Sequence, residues 1–366
     1  MSDSKVSIIM PVFNAEKFLE KSIGSLIKQT YRNIEVLCID DGSNDDSLDI
    51  LNAFAQKDNR IKVFSQENSG PAFSRNKGLD NSTGDYIMFC DADDWYEDNM
   101  VELMVNTIEK KDVDFVICDV NIILDKFHNR PLSDIEFHFL NFSGFLDLNS
   151  CMKIQDKVKV FLWKKIFRKN IIDKYNIRFP DGLKSDDCVF IRQYVYVSEN
   201  CYALDKKLYN HVIRKDSIMG NVFAQKSNDY FDFIQGCILL ADFVNKVGLK
   251  NKNKLNYILN VVQSESLFWV NFIDKKEELD EYLTYIVHFA EKFDISLIDK
   301  SEQPLIYAAK CESIKDLKKL CKCKNYRKNT ILEDIFSIRN IVDRDKSFKV
   351  ITILGIKIKK LIKTDR

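Results

Sequence analysis

Two clusters of acidic residues give this 366-residue chain its chemistry. Asp91 and Asp93 stand two residues apart in MFCDADDW, directly after an apolar run. Asp186 and Asp187 are adjacent in LKSDDCVF, almost a hundred residues later. An earlier pair, Asp40 and Asp41, closes the apolar stretch VLCI. Arg75, in PAFSRNKG, is the basic residue nearest the first cluster in sequence. Carboxylates brought this close repel unless something neutralises them. A hard divalent cation does so: Mg²⁺ takes one or two carboxylates and completes its shell with phosphate and water, and Mn²⁺ also suits carboxylate oxygens. The pattern asks for a metal-bound phosphate ester. Asp45 and Asp46 read instead as turn and cap residues. No G-x-x-x-x-G-K-[ST] segment and no G-x-G-x-x-G after the first strand is present, which counts against P-loop NTPases and nicotinamide enzymes.

The elements that must position these residues alternate in period. Val6–Met10, Glu35–Ile39, Ile61–Phe64, Tyr86–Cys90 and Phe115–Cys118 read as buried strands. Between them lie helical patterns, the first with Leu19, Ile23, Leu26 and Ile27 on one face and Asn14 as its expected cap. Such alternation predicts an α/β fold, a mostly parallel sheet with helices on both faces, whose ligands bind beyond the carboxyl ends of the strands. Residues 119–156 mix aromatic and turn residues and read as a strand-rich insertion. Val158–Tyr175 reads as a helix, and the chain from about 221 to 345 reads as helical.

Composition bounds the rest. The chain is 45% hydrophobic and 30% charged, which is globular. Lys+Arg and Asp+Glu are both 55, so the whole molecule has no electrostatic grip on nucleic acid, and no nucleic-acid partner is expected. Among the 10 cysteines, Cys38, Cys90 and Cys118 sit in apolar runs and read as small buried hydrophobes of a reducing compartment, whereas Cys321 and Cys323 lack a second metal-binding pair. No apolar run approaches 18 residues and the N-terminus lacks the order of a signal peptide.

Charge is uneven along the C-terminal part. Residues 311–329 carry seven basic and two acidic side chains, and Lys346–Arg366 seven basic against one acid. In SFKVITILGIKIKKLIK, lysines alternate with isoleucines and leucine, which fits a strand. Two readings stand: an edge strand with solvated lysines, or a basic apolar patch on an anionic membrane surface.

The succession VSIIMPVFNAEKFLEKSIGSLIKQTYRNIEVLCIDDGSNDDS, then NSGPAFSRNKGLDNSTGDYIMFCDADDW, resembles the family 2 inverting glycosyltransferases of the GT-A fold, of the bacterial surface-glycan type. LWKKIFRKNII, IRFPDGLKSDDCVF and LYNHVIRKDSI resemble the family's acceptor half. The resemblance implies a GT-A, Rossmann-like catalytic domain over 1–220, divided into a nucleotide-sugar half (1–118) and an acceptor half (119–220). A helical accessory domain (221–345) and a basic apolar tail (346–366) would follow. It implies that Pro11 and Phe13 line the nucleotide pocket, that Asp41 binds the base, uracil in most members, and that Asn68 and Arg75 lie near nucleotide and sugar. Asp93 would be the more direct ligand of Mn²⁺ or Mg²⁺ in a DxD motif, with Asp91 toward ribose or sugar and Asp94 a weaker candidate. Asp187 would be the catalytic base. Asp186 stands where relatives carry Glu, shorter by one methylene. His211, Arg214 and Ser217 would close on the diphosphate.

Function then follows as an expectation. The chain would move a hexosyl or N-acetylhexosaminyl group from a nucleotide donor, UDP-linked, to a glycan or lipid-linked acceptor in surface polysaccharide or lipooligosaccharide synthesis. It would work in the cytoplasm, either free or peripheral on the cytoplasmic face of the inner membrane. The alternative is a catalytically inactive nucleotide-sugar-binding or scaffold protein of the same fold. A nucleotidyltransferase fits less well, because PVFNAEKF provides no glycine- and lysine-rich loop.

Overall fold

The computed structural model describes residues 3–124, 136–137, 142–147, 161–184, 186–213, 229–248, 251–270, 273, 275–294, 296, 298, 303–311, 336–343, 346–353 and 356–364. The chain divides into two compact units. One comprises Met1–Asp125, Leu140–Ser150 and Val158–Ala224; the other comprises Lys126–Phe139, Cys151–Lys157 and Gln225–Arg366.

The first unit begins as the alternation predicts. Strands β1 (Val6–Val12), β2 (Ile34–Asp40), β3 (Ile61–Ser65) and β4 (Tyr86–Phe89) alternate with helices α1 (Glu16–Ile27), α2 (Ser47–Lys57) and α3 (Pro71–Asp80). β1 pairs in parallel with β2 and β4, and β2 with β3. Ile8, Ile9 and Met10 of β1 and Val36, Leu37 and Cys38 of β2 are all fully buried, as a sheet covered on both faces requires. α3 packs so closely that a Cβ on Gly78 would stand 2.4 Å from Ile9 Cγ2.

Then come β5 (Trp95–Tyr96), α4 (Met100–Lys111), β6 (Phe115–Leu124), β8 (Gly144–Asp147), β9 (Lys165–Arg168), α5 (Lys169–Tyr175), α6 (Asp186–Val197) and β10 (Asn200–Ile213), while β7 (Glu136–Phe137), between β6 and β8 in the chain, belongs to the second unit. The nine-stranded sheet runs β3-β2-β1-β4-β9-β6-β10-β5, with β8 also on β10. Its second half is mixed: β6 and β10 are parallel, while β9 inserts antiparallel between β4 and β6. Residues 165–168, in the middle of the stretch Val158–Tyr175 read as a helix, are thus a central strand, and only 169–175 of that stretch form a helix among the described residues. Lys165, Ile166 and Phe167 are buried on both faces, and a short run buried all round looks the same in sequence whether it is strand or helix.

Strand order reverses beside β1. β2 follows β1 on one side, and β4, reached after β3, lies on the other. The crevice at that reversal is where an open α/β sheet binds its ligand. β1 ends there in Pro11–Val12 and β2 in Asp40, and Phe13, Asp41 and Asp91–Asp94 follow their strands out of the sheet.

The second unit contains helices α7 (Asp229–Val247), α8 (Lys252–Val270), α9 (Lys276–Glu291) and α10 (Pro304–Cys311). Ile258, Val262, Tyr282, Ile286, Phe289 and Ile306 are buried within it. Polar pairs are buried there too: Gln303 Nε2 donates to Asn260 Oδ1 at 2.9 Å, and the Leu305 N–H to Gln263 Oε1 at 3.0 Å. A four-stranded antiparallel sheet follows the order β11-β12-β13-β7, with β11 Phe336–Asp343, β12 Lys346–Ile353 and β13 Ile356–Thr364. β11 therefore falls inside the stretch read as helical, and the alternating lysines of 357–360 lie on a strand. Among the described residues, no helix is long and apolar enough to cross a membrane.

Candidate active site

The site grows from the loops that leave β1, β2 and β4. Asp41 is buried, and the loop before α3 wraps around its carboxylate. Oδ1 accepts from Gln66 Nε2 and the Ser69 N–H, both at 2.8 Å, and Oδ2 from the Gly70 N–H at 2.8 Å. Gly42 makes this possible: its φ is +71°, and a Cβ there would lie 2.9 Å from Asn68 N. Asn68 itself is exposed, as is Phe13. Asn14 does not cap α1. Its Oδ1 accepts the Asn44 N–H, and the helix start is held by Asp45 Oδ2 on Glu16 N and by Ser47 Oγ on Ala15 N. Asp45 is therefore a cap, as its turn context suggests.

Arg75, on α3, joins the two acidic clusters. Nη1 donates to Asp186 Oδ2 at 2.8 Å, and Nη2 lies 3.6 Å from Asp91 Oδ1. The guanidinium is also 5.6 Å from the Phe179 ring centroid. Burial works against its charge, but Asp186, Asp91 and Asp187 overcome that and hold its pKa above the usual guanidinium value. Arg75 Nε is a buried donor without an acceptor among the described residues.

Asp186 and Asp187 open α6 and differ in exposure: Asp186 is buried and paired to Arg75, while Asp187 is half-buried. Asp187 Oδ1 accepts the Cys188 N–H at 2.7 Å. Desolvation first, then the Asp186 charge, push the Asp187 carboxyl up to about 6. Burial likewise raises Asp91, against the pull of Arg75.

Asp94 departs from its sequence reading as a minor ligand. It is fully buried, and its oxygens are occupied by Tyr209 Oη at 2.7 Å, His211 Nδ1 at 2.9 Å and the Val212 N–H at 2.8 Å. This carboxylate fastens the acidic loop to the end of β10. Tyr209 also accepts the Asp91 N–H at 3.2 Å, and Trp163 stacks on both Tyr209 and His211, with centroids 4.4 and 4.9 Å away. Tyr209 and Trp163 carried no sequence signal beyond being aromatic.

The structure thus gathers Arg75, Asp91, Asp186 and Asp187 through direct contact or field, and His211 with Asp91 and Asp93 through Asp94. Arg214 and Ser217 lie outside the described residues. No group of three His, Cys, Asp or Glu able to hold a metal ion is present among the described residues. Asp91 and Asp93 are nevertheless a hard-oxygen pair of the kind that completes its shell with phosphate and water, and burial makes the charge on Asp91 costly without a cation. The donor set fits such an ion.

A mixed sheet, parallel through β3-β2-β1-β4 with an acidic crevice at its strand reversal and continued by the antiparallel β9, has the architecture of the GT-A fold. Residues 7–175 match the family model "Glycosyl transferase family 2". The chain is similar to glycosyltransferase GlyA of Streptococcus pneumoniae, 34% identical over 222 residues, covering 59% of this chain and 32% of that one. It is also similar to glycosyltransferase GlyG of the same species, 29% identical over 231 residues, covering 60% and 74%. A cholesterol galactosyltransferase of Borreliella burgdorferi is 31% identical over 229 residues, covering 60% and 63%. The chain therefore spans only about a third of GlyA. In fold it resembles Staphylococcus aureus TarS residues 1–349 solved with UDP-GlcNAc, at TM-score 0.72 and 21% identity, covering 99% and 100%. Residues 7–175, a little under half of the chain, are thus the part that is similar to glycosyltransferase family 2.

Proposed function

We propose that the chain transfers a sugar from a nucleoside-diphosphate donor, a UDP sugar, to a hydroxyl of a glycan or lipid-linked acceptor, with inversion. The observation that carries this is the Arg75 bridge: it ties Asp91, beyond β4, to the acid pair whose second member is raised to about 6.

Asp187 is the base. Near pH 7 it is largely ionised, yet it is basic enough to take the acceptor hydroxyl proton as attack begins. The acceptor oxygen forms its bond to the anomeric carbon from one face, and the bond to the diphosphate oxygen breaks on the other. The electron pair leaves with the diphosphate and the proton ends on Asp187, so no enzyme nucleophile is needed. Arg75 holds the acid pair and brings positive charge to the donor side. Asp93 and Asp91 would hold Mn²⁺ or Mg²⁺, which when bound supplies Lewis-acid neutralisation of the leaving diphosphate. Pro11, Phe13, Asp41 and Asn68 form the nucleotide end. Asp41 spends its carboxylate partly on shaping the 66–70 loop, so its contribution to the base rests on that loop's shape. His211 faces the diphosphate.

The named sterol acceptor of the Borreliella relative supports a lipid-linked acceptor here. The basic segment of residues 346–366 would then rest on the cytoplasmic face of an anionic membrane, with residues 221–345 as an accessory domain.

The test is a thermal-shift screen of nucleotide sugars with Mn²⁺, followed by transfer from the donor that stabilises most. Stabilisation by one UDP sugar with turnover supports the reading. Stabilisation without either transfer or donor hydrolysis would make the chain a binding protein.

A further inference from the structure

The fourth residue of the DADD run is used up by hydrogen bonds, and this has a consequence for His211. Asp94 Oδ2 faces His211 Nδ1 at 2.9 Å and Tyr209 Oη at 2.7 Å, while Oδ1 takes the Val212 N–H at 2.8 Å. All three neighbours can donate, and a carboxylate only accepts. The proton on the neutral ring therefore sits on Nδ1, because the hydrogen bond made by one imidazole nitrogen sets the state of the other. Trp163 lies nearly parallel to the ring, at 16° and 4.9 Å, so the plane is fixed as well. Nε2 has no hydrogen-bond partner among the described residues, and the ring feels the charges of Asp91 and Asp93.

We infer that Asp94 is a positioning residue: it fixes the tautomer and plane of His211, so that the ring meets the donor complex only through Nε2. Asp94 touches neither donor nor acceptor. Its effect passes through His211, and through the end of β10 that it anchors. This deepens the transferase reading and depends on it for what Nε2 meets; the tautomer does not depend on it.

Asn at position 94 is the informative change. Its amide offers one acceptor and one donor group where three donors converge. With NH₂ toward the ring, it would push the proton from Nδ1 to Nε2. The experiment has two arms on the full chain. The first is ¹⁵N NMR of His211, which separates the two tautomers: the native ring should show Nδ1–H, and Asp94→Asn should lose that preference. The second is calorimetric binding of UDP with Mn²⁺ to the native chain, Asp94→Asn, His211→Gln and the double variant, with folding checked by thermal melting.

Each single change should weaken UDP by about tenfold or more, as loss of an orienting partner typically does, and the double variant should bind no worse than His211→Gln. A merely structural Asp94 would cost further affinity in the His211→Gln background; such additivity overturns the inference. So does an unchanged His211 tautomer in Asp94→Asn. If Asp94→Asn does not fold, the ring state in the native chain decides: a native Nε2–H tautomer overturns the proposal. Failure of UDP to bind the native chain would count against the transferase reading, while the NMR arm would still judge Asp94.

Discussion

Arg75 reaches Asp186, 111 residues further along the chain, with Nη1 2.8 Å from Oδ2, and so ties α3 to the start of α6. Both side chains are largely out of water, at 13% and 5% exposure. Removing one partner of such a pair strands the other's charge, which typically costs about 3–5 kcal/mol. Arg75→Ala should lose stability of that order in urea denaturation. Arg75→Lys should lose less, because the charge stays, but transfer should still fall, since one ammonium cannot reproduce the forked contact to Asp186 and Asp91. Equal stability of Arg75→Ala and the native chain would show that the bridge does not persist in solution.

Asp187→Asn removes the proposed base and little else. Transfer should drop by about 10²–10⁴-fold, the usual contribution of general-base catalysis, while UDP binding stays near the native value. Native turnover in this variant rules out Asp187 as the proton acceptor.

The same carboxyl sets two opposite pH trends. Its folded pKa is raised to about 6 by burial and by Asp186, above the ordinary value of 3.8. Between those values the folded chain binds more protons than the unfolded one, so this group's contribution to stability falls as pH rises through the window, and its ionised form is a net cost above it. Activity runs the other way, because only the ionised form accepts a proton. The rate should rise with pH through about 6, and Asp187→Asn should be more stable than the native chain at pH 8, with the difference shrinking toward pH 4. A stability gap that widens on acidification would contradict the assigned cause.

Much of this arrangement was legible in the sequence. The acids at 91, 93, 186 and 187 lie in sharply bounded motifs, and β4, the strand before the first pair, is a short apolar run. What the sequence hid is local. β9 looked helical because Phe161, Leu162, Ile166 and Phe167 fit a 3.6 period as well as they fit a strand buried on both faces, and the buried Lys165 disguises a central position. Asp94 looked like a spare ligand because a carboxylate's role depends on donors that come from β10, more than a hundred residues away. Asn14 is a residue type that favours helix caps, but Asp45 and Ser47, at the start of α2, supply the side chains that hold the first turn of α1.

The cation can be tested by removal. EDTA should stop transfer, and Mn²⁺ or Mg²⁺ should restore it. Asp93→Asn should leave an enzyme that excess Mn²⁺ rescues poorly. Full turnover by metal-free protein would reduce Asp91 and Asp93 to polar contacts with the sugar.

Gly42 offers a test of the nucleotide end that leaves every acid in place. Its φ of +71° disfavours any side chain, and the Cβ of Gly42→Ala would press to within 2.9 Å of Asn68 N and 3.2 Å of Gln66 O, both backbone atoms that cannot swing aside. Left-handed strain and overpacking each cost roughly 1–3 kcal/mol. The loop they displace is the one whose Ser69 and Gly70 amides hold Asp41. Gly42→Ala should therefore melt earlier and bind UDP more weakly. Gly70→Ala serves as the control, because a Cβ there meets nothing within 4 Å, although its φ of +91° still carries backbone strain. If both variants lose stability but only Gly42→Ala loses UDP affinity, the nucleotide end depends on the close approach of residue 42 to residues 66–68. Equal loss of affinity in the two would place the effect in loop strain alone.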